Sequence, residues 1–165
     1  MQELHENEQY FFRRETLDAL AAILSPYENP CILCAPTLAQ HIQDAARPPR
    51  RVSALDIDTR FAKSLPGFRL WNLYKPEHID EQFDVIFCDP PFFNVSLSQL
   101  FTAIRMLAKF QYEQPLMLCY LTRREQALLG AFARFNLQPT GIFPLYQTVQ
   151  NVERNGIQLY ANVAV

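Results

Sequence analysis

Glycine is scarce in this chain, with four residues among 165 against twelve prolines. A glycine-rich turn after the first strand, the usual way for backbone to come close to a ligand, is therefore missing. The corresponding stretch reads Cys34-Ala35-Pro36-Thr37-Leu38. A strong charge of one sign is also missing. The formal net charge of −2 argues against a standing polyanion-binding face, because phosphate neutralisation supplies much of the affinity for duplex nucleic acid. The pairs Arg13-Arg14, Arg50-Arg51 and Arg123-Arg124 read as solvated loops or helix ends. No apolar run approaches the ~18 residues of a membrane span. Residues 1–8, acidic and polar, carry no signal or transit pattern, so a cytoplasmic location is the expectation.

Metal-ligand sets are lacking too. Cys31 and Cys34 form a C-x-x-C, but in a strand that spacing sends the two side chains to opposite faces. No second pair completes a zinc set. His5, His41 and His78 stand apart and read as solvated surface positions. Cys31, Cys34, Cys88 and Cys119 lie in apolar runs and read as core thiols of a reducing compartment. No metal is expected.

What is present is the composition of an ordinary globular protein, 49% apolar and 19% charged, of a length that suits one domain over 1–165. There is no internal repeat and no linker. Helical period alternates with short apolar runs. The spacing of Leu17, Leu20, Ala21 and Leu24 predicts an amphipathic helix over 15–25. Residues 31–35 read as a first strand, and Pro36 suits the first turn of a helix bearing Leu38, Ile42 and Ala45. Residues 52–56, 68–72, 83–88 and 116–121 read as four further strands. Ser96 is placed to cap a helix striped by Leu97, Leu100, Phe101, Ile104 and Leu107. Thr122-Arg123-Arg124-Glu125 has the form of a capping box opening another helix. Residues 142–146 and 157–165 are strand-like, with a tight-turn signal at Asn155-Gly156. Five strand–helix units followed by a hairpin predict an α/β fold with a mostly parallel sheet and an antiparallel edge. Ligands of such sheets bind beyond the carboxyl ends of the strands, which directs attention to Ala35-Pro36, Asp56, Asn72 and Asp89.

The sharpest motif is Asp89-Pro90-Pro91-Phe92, directly after a hydrophobic strand. Two prolines can simply end a strand, with Asp capping a turn and Phe packing. Paired prolines also make a rigid loop that holds the Asp89 carboxylate and the Pro90 carbonyl as fixed acceptors and offers Phe92 outward as a flat platform. That combination suits methylation of a planar amino group. The lone pair of such an amine is delocalised into its ring. Acceptors gripping its N–H bonds favour tetrahedral nitrogen and stabilise the charge that grows there, and an aromatic face holds the flipped base by stacking.

With these residues in view, the chain resembles the N6-adenine methyltransferase-like family, which includes the elongation factor 1A lysine methyltransferase and a zinc-knuckle ribosomal-RNA adenine methyltransferase. The likeness runs from Gln9-Tyr10-Phe11-Phe12, followed by Thr16, through residues 32–35 with Pro36 and Leu55-Asp56-Ile57-Asp58-Thr59-Arg60-Phe61. Asn72 and the Asp89-to-Phe92 motif complete it, and it ends at Asn162-Val163. Asp56-x-Asp58-x-Arg60-Phe61 with a Phe-ending tetrapeptide leans towards the RNA enzyme. The resemblance implies a Rossmann-like class I fold with seven strands and S-adenosylmethionine as cofactor. It also implies that an acid ending the second strand grips the cofactor's ribose hydroxyls. Asp56 is the first choice and Asp58 the second, the alternative for Asp58 being a pair with Arg60. Asn72 would read the cofactor's adenine edge, unless it serves only as a turn residue. Ala35 and Pro36 would touch the cofactor.

Residues 1–14 form an aromatic segment readable as a flap, with Phe11 and Phe12 towards substrate, or as a staple that packs the first helix on the sheet. The expected substrate is adenine in nucleic acid, RNA before DNA, and the alternative is a protein lysine. A chain of this length leaves target specificity to a partner or to a structured substrate. The missing glycines raise a third reading, a catalytically silent scaffold.

Overall fold

The short apolar runs become the middle of a sheet, because a strand covered on both faces must be apolar throughout. The computed structural model describes residues 1–149 and 156–165. In it β1 (Pro30–Leu33), β2 (Ser53–Asp56), β3 (Phe68–Leu70), β4 (Val85–Cys88) and β5 (Leu116–Leu121) run parallel. All but the edge strand β3 are buried at every position. The sheet is completed by β6 (Gln138–Pro139) and the antiparallel β7 (Ile157–Ala161), which inserts between β5 and β6. The order is β3-β2-β1-β4-β5-β7-β6. Its direction of growth reverses between β1 and β4, where a crevice opens at the carboxyl ends. This is the seven-stranded, mostly parallel sheet expected, with its antiparallel C-terminal hairpin and flanking helices.

Those helices are α1 (Arg14–Leu24), α2 (Pro36–Ala45), α3 (Leu97–Leu107) and α4 (Glu125–Ala131). They pack in two pairs, α1 on α2 and α3 on α4. Pro36 occupies the first turn of α2, and Ser96 with Gln99 forms a complete capping box on α3. No helix among the described residues is long and apolar enough to cross a membrane.

Two local expectations need correction. Thr122 does not cap a helix: its hydroxyl donates to the Gly156 carbonyl at 3.2 Å, and Glu125 accepts from the Tyr160 hydroxyl at 2.9 Å. β7 and the residue before it draw away both side chains that a capping box would need. Residues 142–146 are not a strand. The Leu159 N–H does reach the Ile142 carbonyl at 2.8 Å, but the chain then leaves the sheet to pair with the N-terminal segment. There Tyr146 forms an isolated antiparallel bridge with Phe12, flanked by bonds from Arg13 N–H to Leu145 and from Gln147 N–H to Phe11. The true sixth strand is the two-residue, exposed Gln138–Pro139, too short to show a period. Asn155, half of the expected turn, lies outside the described residues.

Two glycines make the packing testable. A Cβ on Gly67 would collide with the Val52 carbonyl oxygen, where the chain passes against the start of β2. A Cβ on Gly130, inside α4, would meet nothing within 4 Å. Gly67→Ala should therefore lower stability in urea unfolding by about 1–3 kcal/mol, while Gly130→Ala should raise it by about 0.5–1 kcal/mol.

Candidate active site

At the crevice between β1 and β4, strand ends and loops enclose a cleft of about 460 Å³, within the range of small-molecule sites. Cys34 follows β1, Asp56 and Ile57 close β2, and Trp71 to Tyr74 follow β3. Asp89, Pro91 and Asn94 come from the loop after β4, and the N-terminal residues Glu6, Asn7, Glu8 and Gln9 complete the rim.

The two acids after β2 have different surroundings. Asp56 is buried, and its Oδ1 accepts from the Asp58 N–H at 2.8 Å. Loss of solvent pushes its carboxyl up to about 6, aided by the charge of Asp58 and opposed by that backbone bond. Asp58 is saturated instead. Arg60 clasps both its oxygens at 2.9 and 2.7 Å, and Gln9 donates to Oδ2 at 2.8 Å. The Arg60 hydrogen bond holds its carboxyl below the ordinary carboxylate range. Asp58 thus ties the N-terminal segment to the β2 turn, and Asp56 is the acid with the cleft before it.

The turn without glycine reaches its shape by another route. Cys34 itself adopts the left-handed conformation, φ 61°, that glycine usually supplies. It lines the cleft, whereas Ala35 and Pro36 are buried behind it. Asn72 lines the cleft as well, yet its Oδ1 accepts from the Tyr74 N–H at 2.9 Å, an Asx turn that fixes the loop after β3.

The loop after β4 shows what the motif does locally. Asp89 continues the ladder, its N–H bonding the Leu33 carbonyl at 3.1 Å, and its side chain is almost wholly buried. Oδ1 accepts from the Tyr146 hydroxyl at 2.7 Å. Burial raises this carboxyl to about 8, against the smaller lowering effect of the Tyr146 bond. Phe92 does not face outward. It is 8% exposed, with its ring edge-on to Tyr120 and Tyr146, while Phe93 is the exposed aromatic at 62%. The prolines turn the chain so that residue 92 points back into the apolar layer. Phe92 does line a second cleft, of about 480 Å³, with His5, Tyr10, Phe93 and Tyr146 among its walls. Asp89 borders the first cleft, Tyr146 borders the second, and a hydrogen bond links the two residues.

Phe11 and Phe12 touch neither cleft. Phe12 is buried against Tyr146 and Phe87, and Phe11 against Phe61. The N-terminal segment reaches the clefts through other residues, Glu6 to Gln9 on one side and His5 with Tyr10 on the other. Sequence reasoning missed Tyr146 and Trp71. Tyr146 lay in a stretch with a strand-like pattern, and nothing in its neighbours marks a partner 57 residues away. Among the described residues no three His, Cys, Asp or Glu side chains gather as a metal set.

Residues 3–165 match the family described as Probable N6-adenine methyltransferase. The chain belongs to that family. No curated protein matches it. Solved structures agree on the fold of the S-adenosylmethionine-dependent methyltransferases. The magnesium protoporphyrin IX methyltransferase of Synechocystis, solved with S-adenosylmethionine bound, is similar at TM-score 0.58 and 13% identity, covering 89% of this chain and 77% of that one. The methyltransferase domain of a bacterial Hen1 is similar at TM-score 0.60 and 9% identity, covering 90% and 97%. The E. cuniculi Mtq2 complex, responsible for methylation of the eRF1 translation termination factor, is similar at 0.56 and 13%, covering 93% and 97%. At these identities the likeness is one of fold, and the methyl acceptors of these proteins differ widely.

Asp89 makes folding pH-dependent with a definite sign. Its folded carboxyl titrates near 8 against an ordinary 3.8, so the native state holds a proton that the unfolded chain releases. The contribution of Asp89 to stability is fully present below about pH 4 and is lost as pH rises towards 8. Asp89→Asn, which keeps the neutral shape, should melt at least ~3 °C above the wild type at pH 8. Thermal scans at several pH values should show that gap narrowing as pH falls towards 4.

Proposed function

We propose that the chain, acting as one domain over 1–165, is an S-adenosylmethionine-dependent N-methyltransferase whose acceptor is the N6 amine of adenine in nucleic acid, RNA before DNA. The carrying observation is the Asp89 carboxyl, held by Tyr146 between a cleft with an acid at the end of β2 and a cleft with aromatic walls.

The first cleft suits the cofactor. Asp56 would accept from the ribose hydroxyls, and Trp71 with Ile57 offers apolar surface to its base near Asn72. The left-handed Cys34 brings backbone to the cleft without a glycine. When bound, the cofactor supplies a methyl group activated on a sulfonium sulfur. The protein's task is then to present a nitrogen. Asp89 and the Pro90 carbonyl would accept from the two N–H bonds of the amine, holding its lone pair free for attack. As the new N–C bond forms, the nitrogen becomes positive and sheds one proton. The Asp89 carboxylate is the base in place to receive it. Only the ionised carboxyl can take that proton, so Asp89, neutral when buried in the free protein, must first release its own to solvent.

Flat aromatic walls at the second cleft, from Phe92, Tyr146 and Tyr10, suit a base turned out of its stack. The family description supports the same acceptor. One observation favours a lysine acceptor on a protein such as a translation factor: Glu6 and Glu8 stand at the rim of the first cleft, in a chain of net charge −2. Either acceptor leaves sequence context or protein choice to a partner or to a structured target.

Calorimetry with S-adenosylhomocysteine tests the cofactor role. Asp56→Ala should weaken binding about 10–100-fold, the loss expected when charged hydrogen bonds are removed. Wild-type affinity should fall as pH drops below about 6, where the Asp56 carboxyl takes up a proton. No binding at millimolar ligand would leave only the silent scaffold. Asp89→Ala should bind the cofactor normally and transfer nothing. Lysate incubated with the protein and tritiated S-adenosylmethionine should then carry label that nuclease removes. Label that survives nuclease and is lost to protease would sink the adenine reading in favour of lysine.

A further inference from the structure

We propose that Tyr146 is the positioning residue for Asp89: its hydroxyl fixes one carboxyl oxygen, leaves the other for the acceptor amine, and sets the pH at which the carboxyl can accept a proton. The proposal rests on the methyl-transfer reading and assigns a role to a residue that lies outside the Asp-Pro-Pro-Phe motif.

Three observations carry it. First, the Tyr146 hydroxyl to Oδ1 at 2.7 Å is the only hydrogen bond the Asp89 side chain makes among the described residues, so Oδ2 has no protein donor. A carboxyl with one anchor can pivot about it, and losing the anchor frees both torsions. Second, Tyr146 is itself over-determined. Its backbone bridges Phe12, its ring lies 5.0 Å from that of Phe12 and meets the edge of Phe92, and the Arg13 Nε–H donates to its carbonyl at 3.0 Å. A residue held from the N-terminal segment, the motif loop and its own strand-like stretch can impose a direction on what it touches. Third, it connects the two clefts, lining the second while bonding the acid that lines the first.

The electrostatic surroundings leave the tyrosine as the controlling group. The titratable groups facing Asp89 are Tyr146, Cys88 on the same strand and Cys119 from β5, with Cys34 behind Cys88. Burial pushes Tyr146, Cys88 and Cys119 upward, so they stay neutral, and no cationic side chain bonds to Asp89 among the described residues. The phenol is thus the one donor favouring the ionised acid. Cys119 stands near the same hydroxyl and, as a weak acceptor, competes little for it.

The test uses the full chain labelled with carboxyl ¹³C-aspartate, the Asp89 signal being assigned by its absence in Asp89→Asn. In Tyr146→Phe the Asp89 titration should move up by about one pH unit, the effect of losing a hydrogen bond to the charged form. S-adenosylhomocysteine affinity should stay within about twofold. With the labelled lysate fraction as substrate, kcat should fall about 100-fold, the cost of a small misplacement. KM should change little, and the acid limb of the rate–pH profile should move up with the Asp89 titration. Should Tyr146→Phe not fold, 3,5-difluorotyrosine placed at 146 keeps the shape and strengthens the donor, and the titration should then move down. An Asp89 titration that ignores both changes overturns the proposal. A titration that shifts as expected in a wild-type chain that transfers no methyl group overturns the methyl-transfer reading on which the proposal rests.

Discussion

A carboxyl group at the end of a wholly buried strand is the constraint around which this protein is organised. Asp56 ends β2 and Asp89 follows β4, and each keeps less than a tenth of its surface. An unpartnered carboxylate in such a place costs several kcal/mol, and a group so placed lowers that cost by holding its proton. Both acids are displaced upward for this reason. Such displacements gather at sites of chemistry more than at sites of structure. Asp58, two residues from Asp56, shows the contrast. Fully clasped by Arg60 and Gln9, it is displaced downward and serves to join segments.

Much of the irregular chain is arranged to serve these two acids. Residues 142–147 could have continued the edge of the sheet, and their pattern suits that. They leave it after the Ile142 carbonyl and pair with residues 11–13 instead. The exchange gives up edge ladder bonds, gains the bridge at Phe12, and delivers the Tyr146 hydroxyl to Asp89. The N-terminal segment completes the enclosure by gripping both loops. Glu8 accepts from the Phe93 N–H after β4, and Gln9 donates to Asp58 after β2. The segment is thereby fixed across the cleft it helps to line. The aromatic richness of the sequence has its use here, since Phe12, Tyr146, Phe92 and Tyr120 make a continuous set of ring contacts beside Asp89.

How much of this could be read beforehand depends on the range of the interaction. The buried parallel strands were legible because continuous apolar runs have few other fates, and α3 because Ser96 and Gln99 are three apart and cap each other. The strand ends that carry Asp56, Asn72 and Asp89 follow from those strands once the sheet is recognised. Failures occur where one element is decided by another distant in sequence. Thr122 has the spacing of a cap, but Gly156, just before β7, claims its hydroxyl. Phe92 should stand outward if the loop alone decided, but Tyr120 and Tyr146 offer it an apolar seat. Tyr146 is the clearest case, since its partner lies far along the chain and its local pattern suggests a different element.

The glycine deficit can then be understood as a trade within the same site. A turn after β1 must bring its backbone to the cleft, and that needs a residue in the left-handed region. Glycine enters that region freely, whereas another residue pays about 1–2 kcal/mol. Cys34 accepts the cost with φ 61° and returns something glycine cannot. Its side chain stands close to that of Cys88, the residue immediately before Asp89. The turn after β1 and the end of β4 thus lie side chain against side chain, besides the ladder bond from Asp89 N–H to Leu33. A glycine would give the turn its shape and leave that contact out. Rigidity at the start of the motif loop matters more than ease of the turn if Asp89 must hold one direction, because a loop that opens by rotation about residue 88 would carry the carboxyl with it. The absent glycine and the anchored carboxyl are then two parts of one arrangement, in which local strain is accepted to keep a buried acid in place.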